Sequence, residues 1–169
     1  MLQRRQHNKI TRINSQQGEK LQTKEEIEQE LTHYYKDLLT EPRMDRSEAT
    51  TKILQHIPTI ISQDQNISLT QSITLQEVEE AVMDMNPGKA PGPDGFTMNF
   101  FQACWDTVKW DLWKVVEDSH HSGLILPVPN STFLTLIPKV DKPAEPASFR
   151  PIALCNVIYK IITKFIANR

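Results

Sequence analysis

The residues most able to do chemistry cluster in Lys89-Ala-Pro-Gly-Pro-Asp-Gly-Phe96. Pro91 and Pro93 fix φ and lower the entropy cost of holding a loop. Gly92 and Gly95 let backbone approach a bulky ligand closely or take positive φ. Asp94 can close a turn through its own backbone, and Lys89 is a phosphate-seeking cation. A loop of this kind suits holding a polyanion, or simply joining two helices while pinning Phe96 in a core. Further on, Lys139 and Arg150 bracket two β-branched stretches, and Lys160 and Lys164 stand four apart beyond them. Arginine binds phosphate through a planar two-pronged fork, and Pro151 stiffens the backbone beside Arg150. An ion pair with an acidic neighbour is the other role open to Arg150, and plain solvation the other role open to the lysines.

Catalytic patterns are absent. The chain contains no Asp-Asp pair, no G-x-S-x-G, no phosphate-binding P-loop and no zinc signature. His120 and His121 are adjacent, so on a helix they diverge instead of converging on a metal. At a helix C-terminus they favour the dipole without further role. Cys104 and Cys155 lack C-x-x-C spacing and read as small buried hydrophobes in a reducing compartment.

The charge is unevenly spread. Residues 1–24 hold six Lys/Arg against one Glu; residues 25–126 hold seven against eighteen acids; residues 127–169 hold six against two. Basic ends around an acidic middle suggest that a polyanion partner meets the ends, although ordinary solvated charge gives the same count. At 38% hydrophobic the 169-residue chain is polar for a self-sufficient globule. The absence of an 18-residue apolar run argues against a membrane span, and the N-terminus has no apolar signal core, so secretion is not expected.

The elements that must carry these residues follow from pattern. Asn8–Ile13, a turn at 14–18 and the stretch from Glu19 read as a β-hairpin. Thr23 with Glu26 forms a capping box for a helix over 24–39, whose stripe is Ile27, Leu31, Tyr35 and Leu38. Residues 41–73 read as a loose linker with one short helix at 47–56. Thr74 with Glu77 caps a helix over 75–85. The spacing from Phe100 to Val116 predicts one long helix over 97–120. Strands are expected at 130–140 and 149–155, and Asn156 is placed to cap a last helix with Ile158, Ile161, Ile162, Phe165 and Ile166 on its buried stripe. That pattern is unbroken at Arg169, as in a piece of something longer. The residues alone thus describe a helix-rich α+β chain with basic ends.

Three blocks carry a resemblance: KAPGPDGFTMNFFQACW, LTLIPKV and SFRPIALCNVIYKIITKFIANR. Together, in this order, they resemble the reverse transcriptase of LINE-type (non-long-terminal-repeat) retrotransposons in its plant-like form. Residues 7–39 resemble, more weakly, the connector between endonuclease and polymerase. The resemblance implies a partial right-hand polymerase, with 1–40 as connector, 41–73 as linker and 74–169 as the N-terminal extension and first part of the fingers, palm and thumb being absent. It implies that Lys89, Pro91, Gly92, Pro93, Asp94 and Gly95 lie on the template side, and that Arg150, Lys139 and Lys160 approach nucleotide or template phosphate. It implies an RNA template and a DNA primer as partners, Mg²⁺ as the parent's cofactor, and an intracellular site, nuclear or cytoplasmic. No cofactor is expected in this chain. A non-enzymatic nucleic-acid-binding or interaction remnant of a retroelement is the alternative.

In the family the metal is held by an Asp-bearing strand and a Tyr/Phe-Ala-Asp-Asp turn downstream of the last block, and these residues contain neither. The 169-residue chain alone is therefore expected to be inert in primer extension on RNA or DNA templates with Mg²⁺ or Mn²⁺. Extension above a buffer control, abolished by mutating a residue of this chain, would contradict that expectation.

Overall fold

A computed structural model describes residues 9–42 and 45–169. The chain divides into two compact units: Met1–Pro58 with Thr135–Ile152, and Thr59–Leu134 with Ala153–Arg169. Helices and two small sheets make the class α+β.

In the first unit, β1 (Ile13–Asn14) pairs antiparallel with β2 (Lys20–Leu21), with Ile13 opposite Leu21. The hairpin is shorter than expected, and its start at Asn8 lies outside the described residues. Ser15 makes the turn, its hydroxyl accepting from the Gln17 and Glu19 amides. Helix α1 (Lys24–Leu39) begins at the Thr23–Glu26 capping box, with both reciprocal bonds formed. Its Ile27 joins Ile13 and Phe149 in a small core, with Ile10, Leu21, Leu31 and Leu136 packed around it. Tyr35 is buried and donates its hydroxyl to the Pro146 and Phe149 carbonyls. Leu38, expected on the buried stripe, is 59% exposed. Helix α2 (Ser47–Leu54) has no buried residue.

The second unit opens on α3 (Gln63–Thr70), a helix not expected from the sequence pattern. Ser62 and Gln65 form a complete capping box there. Periodicity does not reveal it because its side chains have no apolar stripe and none is buried. Helix α4 (Leu75–Met83) carries the Thr74–Glu77 box and buries Val78, Ala81 and Val82. The expected long helix is two: α5 (Met98–Ala103) and α6 (Trp105–Ser122). Cys104 sits between them at φ −101°, ψ 19°. Its N–H closes α5 on the Phe100 carbonyl while its own carbonyl accepts from Thr107 and Val108 to start α6. Apolar spacing survives such a turn, so periodicity alone cannot reveal it. Gln102 donates to the Val82 and Met85 carbonyls, satisfying the open end of α4.

Strands β3 (Thr132–Pro138) and β4 (Phe149–Cys155) form the second sheet; a 3₁₀ turn at Pro146–Ser148 precedes β4. The last helix, α7 (Val157–Asn168), is central to the second core: Val157, Ile161, Ile162 and Phe165 are at most 2% exposed and pack with α4, α5 and α6. Burying each such side chain contributes about 1.5–3 kcal/mol. The expected stripe is therefore corrected at one edge, since Ile166 is 57% exposed and Ile158 only partly buried. Among the described residues no helix is long and apolar enough to cross a membrane.

Arg169 ties this core down. Its guanidinium donates to both oxygens of Glu77 (2.9 and 3.1 Å) and to the Leu69, Gln71 and Ser72 carbonyls, and it lies 4.9 Å from the Phe165 ring centre. The Arg169 hydrogen bond above all, helped by Thr74 and opposed by partial burial, lowers the Glu77 pKa from 4.5 to about 2. A depressed carboxyl pKa contributes stability that is complete above the unfolded value and lost as pH falls toward the folded one. Melting temperature should therefore fall between pH 4.5 and about 2 in the wild type, and Glu77→Gln, which keeps the capping box, should flatten that fall. Equal slopes for the two proteins in pH-dependent thermal melts would show that the pair contributes nothing.

Candidate nucleic-acid interface

The Lys89–Phe96 loop is built by backbone chemistry. It follows an Asn86 turn, in which the Gly88 N–H donates to Oδ1 of Asn86. Gly92 to Gly95 is a β-turn, closed by the Gly95 N–H on the Gly92 carbonyl at 3.1 Å, with Pro93 at its first central position. Asp94 accepts from the Phe96 N–H through its own side chain, as its type and place lead one to expect. Thr97 then caps α5.

The loop is held by the start of α7. Asn156, 2% exposed, occupies the N-cap position, but its side chain makes no cap bond. It turns to the loops instead: Oδ1 accepts from the Asp94 N–H at 3.1 Å, and Nδ2 donates to the Val128 carbonyl at 2.9 Å. This corrects the capping role read from sequence. The physical reason is burial: an amide away from water needs partners at both ends, and these loops bring them. Lys160, one turn into α7, donates to the Ala90 carbonyl at 2.9 Å.

Gly92 is buried where the loop crosses Asn156. A Cβ on Gly92 would fall inside contact distance of the Asn156 amide oxygen and backbone nitrogen, and 2.6 Å from its Cα. Glycine is required here by close backbone approach; φ is positive at Gly95 instead. Phe96, expected in a core, is 48% exposed and lies against Phe100 with ring centres 4.8 Å apart.

Beside the loop is a groove of about 460 Å³ lined by Met85, Lys89, Ala90, Met98, Leu154, Val157 and Lys160, among others. Its lining is largely apolar, with the two lysines supplying charge and no carboxylate. Such a set can bind an anionic ligand with apolar faces; it offers no general base or nucleophile. The structure thus brings Lys89 and Lys160 together with Pro91, Gly92, Pro93, Asp94 and Gly95 in the second unit. Lys164 does not join them, because it pairs with Asp84.

Lys139 and Arg150 belong to the first unit. Lys139 Nζ donates to the Ala147 carbonyl at 2.7 Å, and its N–H to the Ser148 carbonyl. Arg150 is exposed on β4 and in no ion pair among the described residues. Among those residues no three His, Cys, Asp or Glu side chains converge to hold a metal. The side chain that sequence reasoning missed is Asn156 in its loop-holding role; a lone Asn before a helix signals a cap, and nothing local betrays partners 28 and 62 residues away.

No family model matches the chain. Over 160 residues, 95% of its length, it is 29% identical to the Transposon TX1 uncharacterized 149 kDa protein of Xenopus laevis, of which it covers 12%. The chain is thus similar, along nearly all its length, to a small part of a transposon protein.

The loop geometry yields a stability test. Gly92→Ala should destabilise by about 1–3 kcal/mol in denaturant unfolding, the usual cost of forcing a group into a packed site. Adding Asn156→Ala should not restore it, since the clashing nitrogen and Cα remain. A Gly92→Ala protein as stable as wild type would mean that the loop does not cross Asn156 so closely.

Proposed function

We propose that this chain is the N-terminal extension and first part of the fingers of a LINE-type RNA-directed DNA polymerase, in its plant-like form. The observation that carries the reading is the similarity to a transposon protein across 160 residues, a span that includes the loop and strand blocks. Supporting it, the Lys89–Gly95 loop is pinned by hydrogen bonds to Asn156 and Lys160, so its exposed side is ready-made for a ligand. Preorganised surfaces lose less entropy on binding.

On this reading the parent copies an RNA template from a DNA primer inside the cell, in nucleus or cytoplasm. The loop and Lys160 lie on the template side. Arg150 and Lys139 meet nucleotide or template phosphate, Arg150 by a forked contact and Lys139 as a positioned charge. On the same reading Mg²⁺ belongs to the parent's palm. By itself the chain binds nucleic acid weakly and catalyses nothing.

The reading frame is the test. The nucleotide sequence following the Arg169 codon should continue in frame into an Asp-bearing strand and an Asp-Asp turn. A polypeptide extended through them should copy RNA with Mg²⁺, and Arg150→Ala should lower its kcat/KM for deoxynucleotides by at least tenfold. A stop codon directly after Arg169 would overturn the polymerase reading and leave the non-enzymatic retroelement remnant.

A further inference from the structure

Part of each basic end, residues 9–22 and 137–144, meets the other within the first unit. A groove of about 700 Å³ runs between the β1–β2 hairpin and the segment that follows β3. Lys9, Arg12 and Lys20 line it from the hairpin, and Lys139 and Lys142 from the other wall. Asp141 is the one carboxylate among the lining residues. The walls are joined where the Asn14 N–H donates to the Ala144 carbonyl at 2.6 Å, so the cations stand on a shared backbone frame. None of the five is in an ion pair among the described residues. Lys139 is fixed in place by the Ala147 carbonyl, a partner that carries no net charge.

Five cations facing one carboxylate make a site of concentrated positive potential in a chain whose net charge is −2. We propose that this groove is a binding track for the phosphate backbone of single-stranded nucleic acid. The choice of nucleic acid as the polyanion rests on the polymerase reading above; the positive groove stands on its own geometry. Ile10, Ile137 and Val140 add apolar surface to the lining, matching the base faces that a single strand presents and a duplex hides. The aromatic ring in the lining, Phe149, is 2% exposed and closed to stacking. Recognition therefore runs through phosphate and is indifferent to sequence, like the charged grooves that track single strands. Lys9, Arg12, Lys20 and Lys142 are absent from the sites expected from sequence, because each is an ordinary surface cation until the fold brings 9–22 against 137–144.

The test is fluorescence anisotropy of the 169-residue chain with single-stranded RNA, the same sequence as DNA, and duplex, across a salt series. Wild type should bind both single strands with dissociation constants of about 10⁻⁴–10⁻⁶ M, and the logarithm of affinity should fall linearly with that of salt. Arg12→Gln with Lys20→Gln and Lys142→Gln should weaken binding at least tenfold and reduce the salt slope by about two, at roughly 0.7 for each phosphate no longer neutralised. Lys24→Gln with Lys36→Gln and Lys52→Gln removes equal charge from helix faces of the same unit, outside the groove, and should leave the slope near wild type. Circular dichroism melts verify that both triple variants fold. Equal weakening by the two triples would reduce the effect to net charge and overturn the proposal. So would undiminished binding by the groove variant, tighter binding of duplex, or no binding by wild type at low salt. The reading-frame experiment decides the polymerase assignment separately, so either proposal can fail while the other stands.

Discussion

Asn156 exposes 2% of its surface, and both ends of its amide are bonded to loops distant in sequence, Asp94 at one end and Val128 at the other. An unpartnered amide at such a position would cost about 1–3 kcal/mol, so the two loops and the start of α7 are fixed together or not at all. The Gly92 backbone passes over this same residue at a distance no side chain tolerates. The stiffness of the Lys89–Phe96 loop therefore comes from three sources acting on one spot: proline φ restriction, a closed β-turn, and a buried hydrogen-bonded anchor.

Helix α7 serves two purposes in the second unit. Its apolar face fills the core between α4, α5 and α6, and its cations are occupied at the rim. Lys160 holds the loop through Ala90, Lys164 pairs with Asp84, and Arg169 gathers Glu77 and three carbonyls. Lys160 also borders a groove. The first unit contrasts with this. Its small core of Ile13, Ile27 and Phe149 leaves its basic residues at the surface, and the carbonyl bond of Lys139 positions that cation without neutralising it. In the same unit Arg46 and Lys52 are paired with Glu41 and Glu48, whereas Lys9, Arg12, Lys20, Lys139 and Lys142 are in no ion pair among the described residues.

How much of this was legible depends on the range of the interaction. The Thr23–Glu26 and Thr74–Glu77 boxes join residues three apart, so sequence reading found both helices at their true starts. The Ser62–Gln65 box obeys the same rule and was overlooked, because α3 has no apolar stripe to draw attention to it. Strand β4 was read with its observed ends, bounded by a proline-rich loop before and Asn156 after. The turn at Cys104 was invisible, since Trp105, Leu112 and Val116 keep helical spacing from Phe101 across the break.

For the candidate sites the same division holds. Residue type and spacing determined that Lys89–Phe96 is a stiff turn with Asp94 closing it, that α7 is amphipathic, and that positive charge collects at the two ends of the chain. The tertiary structure alone decided that Asn156 abandons its cap for Asp94 and Val128, that Gly92 must be glycine, that Lys160 grips Ala90, and that residues 9–22 meet residues 137–144. The reason is physical. Caps, turns and helical stripes are settled within a few residues by local geometry and hydrogen bonding, whereas the partner of a buried amide or the wall facing a lysine is chosen by the packing of the whole unit, which no local window of sequence contains.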